Sequence, residues 1–315
     1  MPRDHRRSSV LDSHSDLVGR IEALKRERRA VILAHNYQRP EVQDVADFVG
    51  DSLELARSAA GTTASRIIFC GVGFMAQTAA ILCPGKEVYI PDPNAGCPLA
   101  NMISPRELAA LKALHPDAAV VTYVNSSAEI KAMSDVCCTS SNSVAVAKSF
   151  PPSRRIIFTP DKNLGRYTAR ESGRELILWP GYCPTHAVIL PRDVEEARRA
   201  HPAAKLVAHP ECGEAVCDAA DRVASTSGIL RYCGETDAPE FIIGTEIGIL
   251  HRLGKENPGK RFYAASLLAD CPNMKLITLE KVLWALEDLV QRVEVPEAVA
   301  RGARVAVERM VEIGK

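Results

Sequence analysis

The sequence repeats one cysteine-containing unit three times at a nearly constant interval. Cys97, Cys183 and Cys271 each precede a proline, and successive cysteines are 183 − 97 = 86 and 271 − 183 = 88 residues apart. Short apolar strands with polar ends, hydroxyl-rich helix starts and a further type of strand and turn recur at the same interval. Such a period predicts three equivalent structural units. Three equivalent loops, each bringing one thiol to a common point, would form a three-cysteine site on a pseudo-threefold axis.

The order of apolar and helical segments predicts an α/β fold. Apolar runs of four to six residues alternate with helical stretches, which is typical of βα units on parallel sheets. We expect three αβα sandwich domains with small parallel sheets, related by a pseudo-threefold axis that carries the site. The predicted boundaries are a disordered lead-in at 1–16, units at 17–102, 103–190 and 191–277, and C-terminal helices at 278–315 that pack back onto the first unit.

The individual strands can also be predicted from their apolar runs. They are expected near 31–35, 66–70, 87–90, 119–124, 134–138, 155–159, 175–179, 204–208, 221–224, 240–243 and 261–265. Helices of the first unit are expected near 41–48, 52–60 and 74–82. After the last strand of each unit comes an irregular segment with the repeated cysteine.

Composition argues against two classes of function. The 315 residues have a formal net charge of zero and a pI near 7.1, so an extended basic surface for nucleic acid is not expected. No apolar run approaches the ~20 residues that a membrane-spanning helix needs. Ten cysteines, in a chain whose first residues lack an apolar signal region, indicate a reducing compartment. We therefore expect a cytoplasmic protein.

Polar side chains follow the first strand of each predicted unit. Open parallel sheets bind ligands beyond the carboxyl ends of their strands. The side chains at these positions that could take part in chemistry are His35, Tyr37, Tyr123, Asn125, His209 and Glu211. They are expected to surround one central cavity.

Each unit also has hydroxyl side chains where a helix is predicted to begin. They belong to Ser52, Ser140, Ser141, Ser225 and Thr226. Helix N-termini expose unpaired N–H groups and therefore favour phosphate or carboxylate. Since Ser and Thr are also preferred N-caps, a purely structural role is the alternative for any one of them. Recurrence in all three units favours a shared anion-binding pocket.

The ten cysteines fall into several groups. Those in apolar segments, which are predicted to be buried, are Cys70, Cys83, Cys137 and Cys138. Cys212 and Cys217 could form a redox pair beside the predicted site. The three repeated cysteines offer three soft ligands without a fourth at a fixed spacing, which suits a four-iron cluster with one iron open. Zinc bound by the same cysteines and His186 is the alternative that the spacing leaves open.

These features resemble the iron–sulfur quinolinate synthase family of de novo NAD biosynthesis. The matching strings are AHNYQ at 34–38, DFVGDSLELA at 47–56, TYVNSSAE at 122–129, CTSSN at 138–142, PDKNLGRY at 160–167, GYCPTH at 181–186, HPEC at 209–212, STSGIL at 225–230, GTEIGILHRL at 244–253 and CPNMKLITLEK at 271–281. The resemblance extends from about residue 17 to the C-terminus. It implies three αβα domains and a [4Fe-4S] cluster held by Cys97, Cys183 and Cys271.

The resemblance also implies a reaction. This transferase reaction condenses iminoaspartate with dihydroxyacetone phosphate, releasing phosphate and two waters to form quinolinate, with the open iron as Lewis acid. An L-aspartate oxidase or dehydrogenase would supply the iminoaspartate. The residues implied for catalysis are Tyr37, Glu211, His35, His209, Tyr123, Asn125 and His186. Those implied for substrate binding are His35, Ser52, Tyr123, Asn125, Ser140, His209, Glu211, Ser225 and Thr226.

The sequence differs from the family pattern at two places, and two other functions remain as alternatives. Some members carry a further C-terminal cysteine pair as a redox switch, but here Pro272, Asn273 and Met274 follow Cys271, and Ile277 stands where the family often has Asn. A hydro-lyase that uses the same open iron on a simpler hydroxy acid remains an alternative. So does a non-catalytic iron–sulfur sensor that binds a partner.

Overall fold

The chain folds into three parallel sheets that have the same strand order. The computed structural model describes residues 13–313. The first sheet contains β1 (Ala30–His35), β2 (Phe48–Gly50), β3 (Arg66–Cys70) and β4 (Glu87–Tyr89). The second contains β5 (Ala119–Tyr123), β6 (Val136–Cys138), β7 (Ile156–Thr159) and β8 (Leu176–Leu178). The third contains β9 (Lys205–Ala208), β10 (Arg222–Val223), β11 (Glu240–Gly244) and β12 (Arg261–Ala264).

The strand orders are β2-β1-β3-β4, β6-β5-β7-β8 and β10-β9-β11-β12, the same order in each sheet. Every pairing within these sheets is parallel. Each sheet falls within one predicted unit. The predicted fold of three αβα sandwiches is therefore confirmed, while the boundaries between the units stay a prediction.

Helices connect the strands, as parallel pairing requires. In the first unit they are α1 (His14–Arg28), α2 (Pro40–Val45), α3 (Ser52–Gly61) and α4 (Gly73–Leu82). In the second they are α5 (Pro105–Leu114), α6 (Ala128–Ala132), α7 (Ser143–Lys148), α8 (Lys162–Ser172) and α9 (Pro184–Ala187). In the third they are α10 (Pro191–Ala200), α11 (Glu214–Ala219), α12 (Thr226–Glu235) and α13 (Ile249–Glu256). Short 3₁₀ helices lie at Leu99–Asn101 and Met274–Leu276, and α14 (Leu279–Asp288) and α15 (Glu297–Glu312) end the chain. Among residues 13–313, none of the helices has the length and apolar character needed to cross a bilayer.

Strand β2 was not predicted. The helix expected at 41–48 ends at Val45, and a three-residue strand follows at the edge of the first sheet. Three residues are too few to show either strand or helix periodicity, so the pattern of Phe48–Gly50 could not reveal a strand. With β2 included, the first unit has the same four strands as the other two.

The two ends of the chain also differ from the prediction. Residues 1–12 of the predicted lead-in lie outside the described residues, but Ser13 caps α1, so residues 14–16 are helical. At the other end, α14 packs against α1 and β3, and α15 packs against α4. Helix α15 also packs against α6 and β6, so it joins the second unit to the first. Gly302 permits this approach, because a Cβ there would lie 3.1 Å from the Cβ of Ala132.

Strand register makes the three units equivalent residue by residue. The first strand of each unit pairs with the third strand through Ala34–Cys70, Thr122–Thr159 and Ala208–Gly244. One residue further along the chain, His35, Tyr123 and His209 therefore occupy equivalent positions. Two residues beyond these come Tyr37, Asn125 and Glu211, again in equivalent positions. Equivalent positions of the three units thus carry side chains of different chemical type, among them imidazole, phenol, amide and carboxyl groups.

Candidate active site

The carboxyl ends of the strands of all three sheets open onto one cavity of about 150 Å³. The predicted site residues that line it are His35, Tyr37, Ser52, Cys97, Tyr123, Asn125, Ser140, Cys183, His186, His209, Glu211, Thr226 and Cys271. Residues that are more than 180 positions apart in the sequence are therefore neighbours here. Of the residues predicted for catalysis, substrate binding or metal binding, Ser225 does not line the cavity, and the roles of all of them stay predictions.

The hydroxyl groups divide into cavity residues and helix caps. Ser52 is the first residue of α3, whose N-cap is Asp51, and Thr226 is the first residue of α12, whose N-cap is Ser225. The Ser225 hydroxyl accepts a hydrogen bond from the backbone N–H of Gly228 at 3.2 Å. The capping alternative thus describes Ser225. Thr226 is the true equivalent of Ser52, since Val49 and Val223 occupy matching register positions.

The hydroxyl of Ser140 has a different neighbour. It lies 3.1 Å from Nε2 of His209, whereas Ser141 next to it donates to Oδ2 of Asp51 at 2.5 Å. Ser141 therefore ties the second unit to the cap of α3. Ser140 faces the cavity.

Three imidazoles are buried in the cavity wall and are neutral near pH 7. Burial lowers the pKa of His35 to about 4 and that of His186 to about 3, and it holds the pKa of His209 well below its usual range. The rings of His186 and His209 stack with 4.8 Å between their centroids. A neutral imidazole can donate through one nitrogen and accept through the other, so each can orient a substrate or relay a proton.

A chain of polar contacts links the phenol of Tyr37 to His186. The Tyr37 hydroxyl lies 2.5 Å from Oγ1 of Thr245, which lies 2.9 Å from Nε2 of His186. On the other side of the imidazole, Nδ1 lies 3.0 Å from Sγ of Cys183. The sequence did not predict a role for Thr245, although this residue directly follows β11. Its role depends on contacts with two other units, which a single strand pattern does not show.

Glu211 is the buried carboxyl group of the site. Burial, aided by the nearby Asp161, raises its pKa well above the usual range and so favours the protonated form. One oxygen, Oε2, lies 3.3 Å from Nδ1 of His209 and 3.6 Å from Nδ1 of His186, and the phenol of Tyr123 also bonds the carboxyl group. The other oxygen, Oε1, is buried without a hydrogen-bond partner among the described residues.

Each repeated cysteine lies where a short helical turn begins, and this explains the proline that follows. Proline at the first position of a turn lacks an N–H, but the next N–H groups are free and point back at the sulfur. The sulfur of Cys97 receives those of Leu99 and Ala100, and that of Cys183 receives the N–H of His186. The sulfur of Cys271 receives those of Met274 and Asn273. These contacts lower each thiol pKa against burial, which raises that of Cys97 to about 12.

Two carboxyl groups hold the cysteine loops of the second and third units. Oδ2 of Asp161 accepts a hydrogen bond from the backbone N–H of Cys183 at 3.0 Å, and Oε1 of Glu246 accepts one from Cys271 at the same distance. Asp161 and Glu246 both follow the third strand of their unit. The strand ends that carry these two acids recur in the sequence, but the recurrence alone does not predict that the acids support the cysteine loops.

Three of the remaining cysteines, Cys83, Cys212 and Cys217, donate to backbone carbonyl groups. The thiols of Cys83 and Cys212 donate to the carbonyls of Ala59 and Gly244, at 3.2 and 3.1 Å. Burial raises the pKa of Cys212 well above its usual range and that of Cys217 to about 12. Thiol–disulfide exchange needs a thiolate, so this environment disfavours the redox pair considered from the sequence.

Comparison with known proteins agrees with this geometry. Residues 19–312 match the family described as "Quinolinate synthetase A protein". A protein of Desulforudis audaxviator named quinolinate synthase is 54% identical over 96% of this chain and 100% of its own length. Proteins with the same name from Methanoregula boonei and a Nostoc species are 52% and 48% identical, over 96% and 95% of this chain and 100% and 94% of their own lengths. The chain, with its three repeated cysteines around one cavity, belongs to the quinolinate synthetase A family.

Proposed function

We propose that this chain is a quinolinate synthase, which condenses iminoaspartate with dihydroxyacetone phosphate and releases phosphate and two waters. The observation that carries the proposal is that three equivalent Cys-Pro turns, one from each unit, open onto a single cavity. The same cavity contains neutral imidazoles, two buried phenols and a carboxyl group whose pKa is raised by burial. The names of the relatives support the same reaction.

The three cysteines fit a [4Fe-4S] cluster. Their thiols are soft ligands, all three border one cavity, and backbone N–H groups point at each sulfur, as they do around bound clusters. Cys97, Cys183 and Cys271 would hold the cluster, which supplies a Lewis acid for the loss of a hydroxyl group. Asp161 and Glu246 would keep the turns of Cys183 and Cys271 in place.

The substrates carry several negative charges, and the cavity offers groups that bind them. Helices α3 and α12 both begin at the cavity. The Asp51 carboxylate already accepts the N–H groups of Leu53 and Glu54 at the start of α3, whereas the Ser225 cap of α12 accepts only that of Gly228, so the positive dipole end of α12 is the better place for carboxylate or phosphate. The hydroxyls of Ser52, Ser140 and Thr226 add donors. His35 and His209 are neutral, so they donate hydrogen bonds without requiring a counter-charge.

Proton transfer can be assigned to two buried groups. The raised pKa of Glu211 favours its protonated form, which would donate a proton to a leaving hydroxyl as a general acid. Burial raises the pKa of Tyr37 well above its usual range, so the phenol keeps its proton until the substrate takes it. Thr245 and His186 provide a path for that proton's replacement. Tyr123 and Asn125 would position the intermediate.

Burial also protects the reaction. Tyr37, Tyr123 and Glu211 are each 3–7% exposed, so little bulk water reaches the groups that contact the substrate. An imine is hydrolysed by water, and a closed site limits this side reaction. We further propose that the chain works in the cytoplasm in de novo NAD biosynthesis, on iminoaspartate from an L-aspartate oxidase or dehydrogenase.

The direct experiment supplies freshly generated iminoaspartate and dihydroxyacetone phosphate to anaerobically purified protein and measures quinolinate by chromatography. Formation of quinolinate that depends on both substrates supports the proposal. If the protein instead dehydrates a simple hydroxy acid and forms no quinolinate, it is a hydro-lyase. A sensor would form no product, and its partner binding would survive Glu211→Gln and Tyr37→Phe.

A further inference from the structure

We propose that Cys183, His186 and Glu211 form a binding site for a single divalent cation of the zinc class. This ligand set differs from the three cysteines that would hold the cluster, and it shares only Cys183 with them. One thiol, one imidazole and one carboxylate are a combination that zinc binds well, with a fourth position left for water.

The three ligand atoms already lie close together. Sγ of Cys183, a ring nitrogen of His186 and a carboxylate oxygen of Glu211 are all within 4.8 Å of one another. Sγ of Cys183 is 3.0 Å from Nδ1 of His186, which is 3.6 Å from Oε2 of Glu211. Tetrahedral zinc would separate the same pairs by roughly 3.6 and 3.4 Å. The remaining pair, Sγ of Cys183 and a carboxylate oxygen of Glu211, lies within 4.8 Å and would be roughly 3.6 Å apart around zinc, so a cation can enter with side-chain shifts of about one ångström.

His186 is oriented as a metal ligand usually is. Metal-bound imidazoles donate their second ring N–H to a fixed acceptor, which sets the tautomer. Here Nε2 lies 2.9 Å from Oγ1 of Thr245, which Tyr37 contacts from the other side. When Nε2–H donates to Thr245, the lone pair of Nδ1 faces Cys183 and Glu211. In the metal-free protein the thiol proton of Cys183 occupies this position, and the cation would replace it.

Glu211 supplies an independent indication of a ligand. Its side chain is only 3% exposed and lines the cavity, yet Oε1 has no hydrogen-bond partner within residues 13–313. A buried carboxyl oxygen without a partner costs free energy. A cation bound by both oxygens of the carboxylate would give Oε1 a partner.

If the proposed function is correct, zinc at this site would compete with the cluster for Cys183. Because Cys183 belongs to both ligand sets, a bound zinc ion and the cluster exclude each other. Zinc at this position would hold the chain in a form that cannot accept a cluster until the ion is removed.

The experiment titrates full-length protein, freed of metal under anaerobic conditions, with ZnCl₂ in a calorimeter. We expect one zinc per chain. His186→Asn and Glu211→Gln should each weaken binding at least tenfold, whereas Cys97→Ala and Cys271→Ala should bind zinc like the wild type. Loss of binding in Cys97→Ala or Cys271→Ala would overturn the inference, because it would assign zinc to the three-cysteine set. Absence of stoichiometric binding would overturn it as well.

The number of sulfur ligands can also be measured on the wild-type protein, so that this result does not depend on variants that fold correctly. Co²⁺ replaces zinc and gives a thiolate charge-transfer band whose intensity increases with the number of bound sulfurs. The wild type should show a band for one thiolate, and a band for three would contradict the proposed site. Iron and sulfide content of Cys97→Ala separates the two proposals. If this variant binds zinc but no cluster, both stand, whereas cluster formation in it would refute the cysteine assignment and leave the zinc site intact.

Discussion

Glu246 accepts a hydrogen bond from the backbone N–H of Cys271 at 3.0 Å, and its side chain is fully buried. Asp161 makes the same contact with Cys183 in the second unit. The first unit uses backbone instead, since the N–H of Gly73 donates to the carbonyl of Ala95 in the loop before Cys97. Each cysteine loop is thus held by a contact from the segment that follows the third strand of its unit. The contact comes from a carboxyl group in two units and from a glycine N–H in the first.

The support from Glu246 extends to the first unit and can be tested by stability. Nζ of Lys275 contacts Oε1 of Glu246 at 2.7 Å and also donates to the carbonyl of Tyr37. Glu246→Ala removes this partner and leaves the largely buried ammonium of Lys275 with the carboxylate of Asp270 at 3.6 Å, so it should lower the free energy of unfolding by about 1–3 kcal/mol. Urea denaturation measures this. The double variant Glu246→Ala/Lys275→Met should recover part of the loss, and a purely additive loss would contradict the pairing.

Thr245 should be required for turnover through its hydroxyl. Thr245→Val keeps the shape of the side chain but breaks the contacts with Tyr37 and His186, so kcat should fall by about 10²-fold or more, as expected for loss of a proton-transfer group. Thr245→Ser is the matched control, because it restores the hydroxyl and should retain most of the activity. Both variants should keep wild-type iron content. Equal activity of the valine and serine variants would exclude the proton path.

Ser225 and Thr226 are neighbours with different expected roles. Ser225→Ala removes the cap of α12 and should lower stability by about 1 kcal/mol with KM nearly unchanged. Thr226→Val removes a hydroxyl from the cavity and should raise KM with a smaller effect on stability. Thermal unfolding and steady-state kinetics on both variants separate the two effects. A raised KM in Ser225→Ala alone would reverse the assignment.

Lys131 predicts a pH dependence of stability that is independent of catalysis. It is fully buried, donates to the carbonyl of Ser126 at 2.6 Å, and lies 5.4 Å from the centroid of the Phe74 ring. Burial lowers its pKa to about 8 from 10.5. Between these values the unfolded chain binds more protons than the folded chain, so this contribution to stability rises with pH.

The comparison of the wild type with Lys131→Met isolates that contribution, since other titrating groups cancel in the difference. As pH rises from 8 to about 10.5, the wild type should gain stability relative to the variant by up to about 3 kcal/mol. Denaturation curves across this range measure the difference. A constant difference would show that Lys131 does not titrate as a buried amine.

The repeat in the sequence was enough to predict the three units and their cysteines. It was not enough to predict residues whose roles depend on contacts with distant segments. Cys97, Cys183 and Cys271 were identifiable because a period and a following proline mark them. Thr245 and Glu246 were not, because their partners lie more than 20 residues away or in another unit.

Small offsets also limited the prediction. Ser225 and Thr226 differ by one position, and strand register shows that Thr226 rather than Ser225 matches Ser52. Hydroxyl enrichment near a helix start does not distinguish a cap from the residue after it. The short strand β2 was hidden for a similar reason, since three residues carry no recognisable period.

The central claim is that three thiols from three units meet at one inorganic centre. The most direct measurement is iron and sulfide content, with the electronic spectrum, of protein purified and reconstituted anaerobically. Wild-type protein should contain about four irons and four sulfides, and Cys97→Ala, Cys183→Ala and Cys271→Ala should each lose them. The control variants Cys70→Ala and Cys83→Ala should retain them. A wild-type protein that takes up no iron, or full cluster content in any of the three variants, would contradict the account.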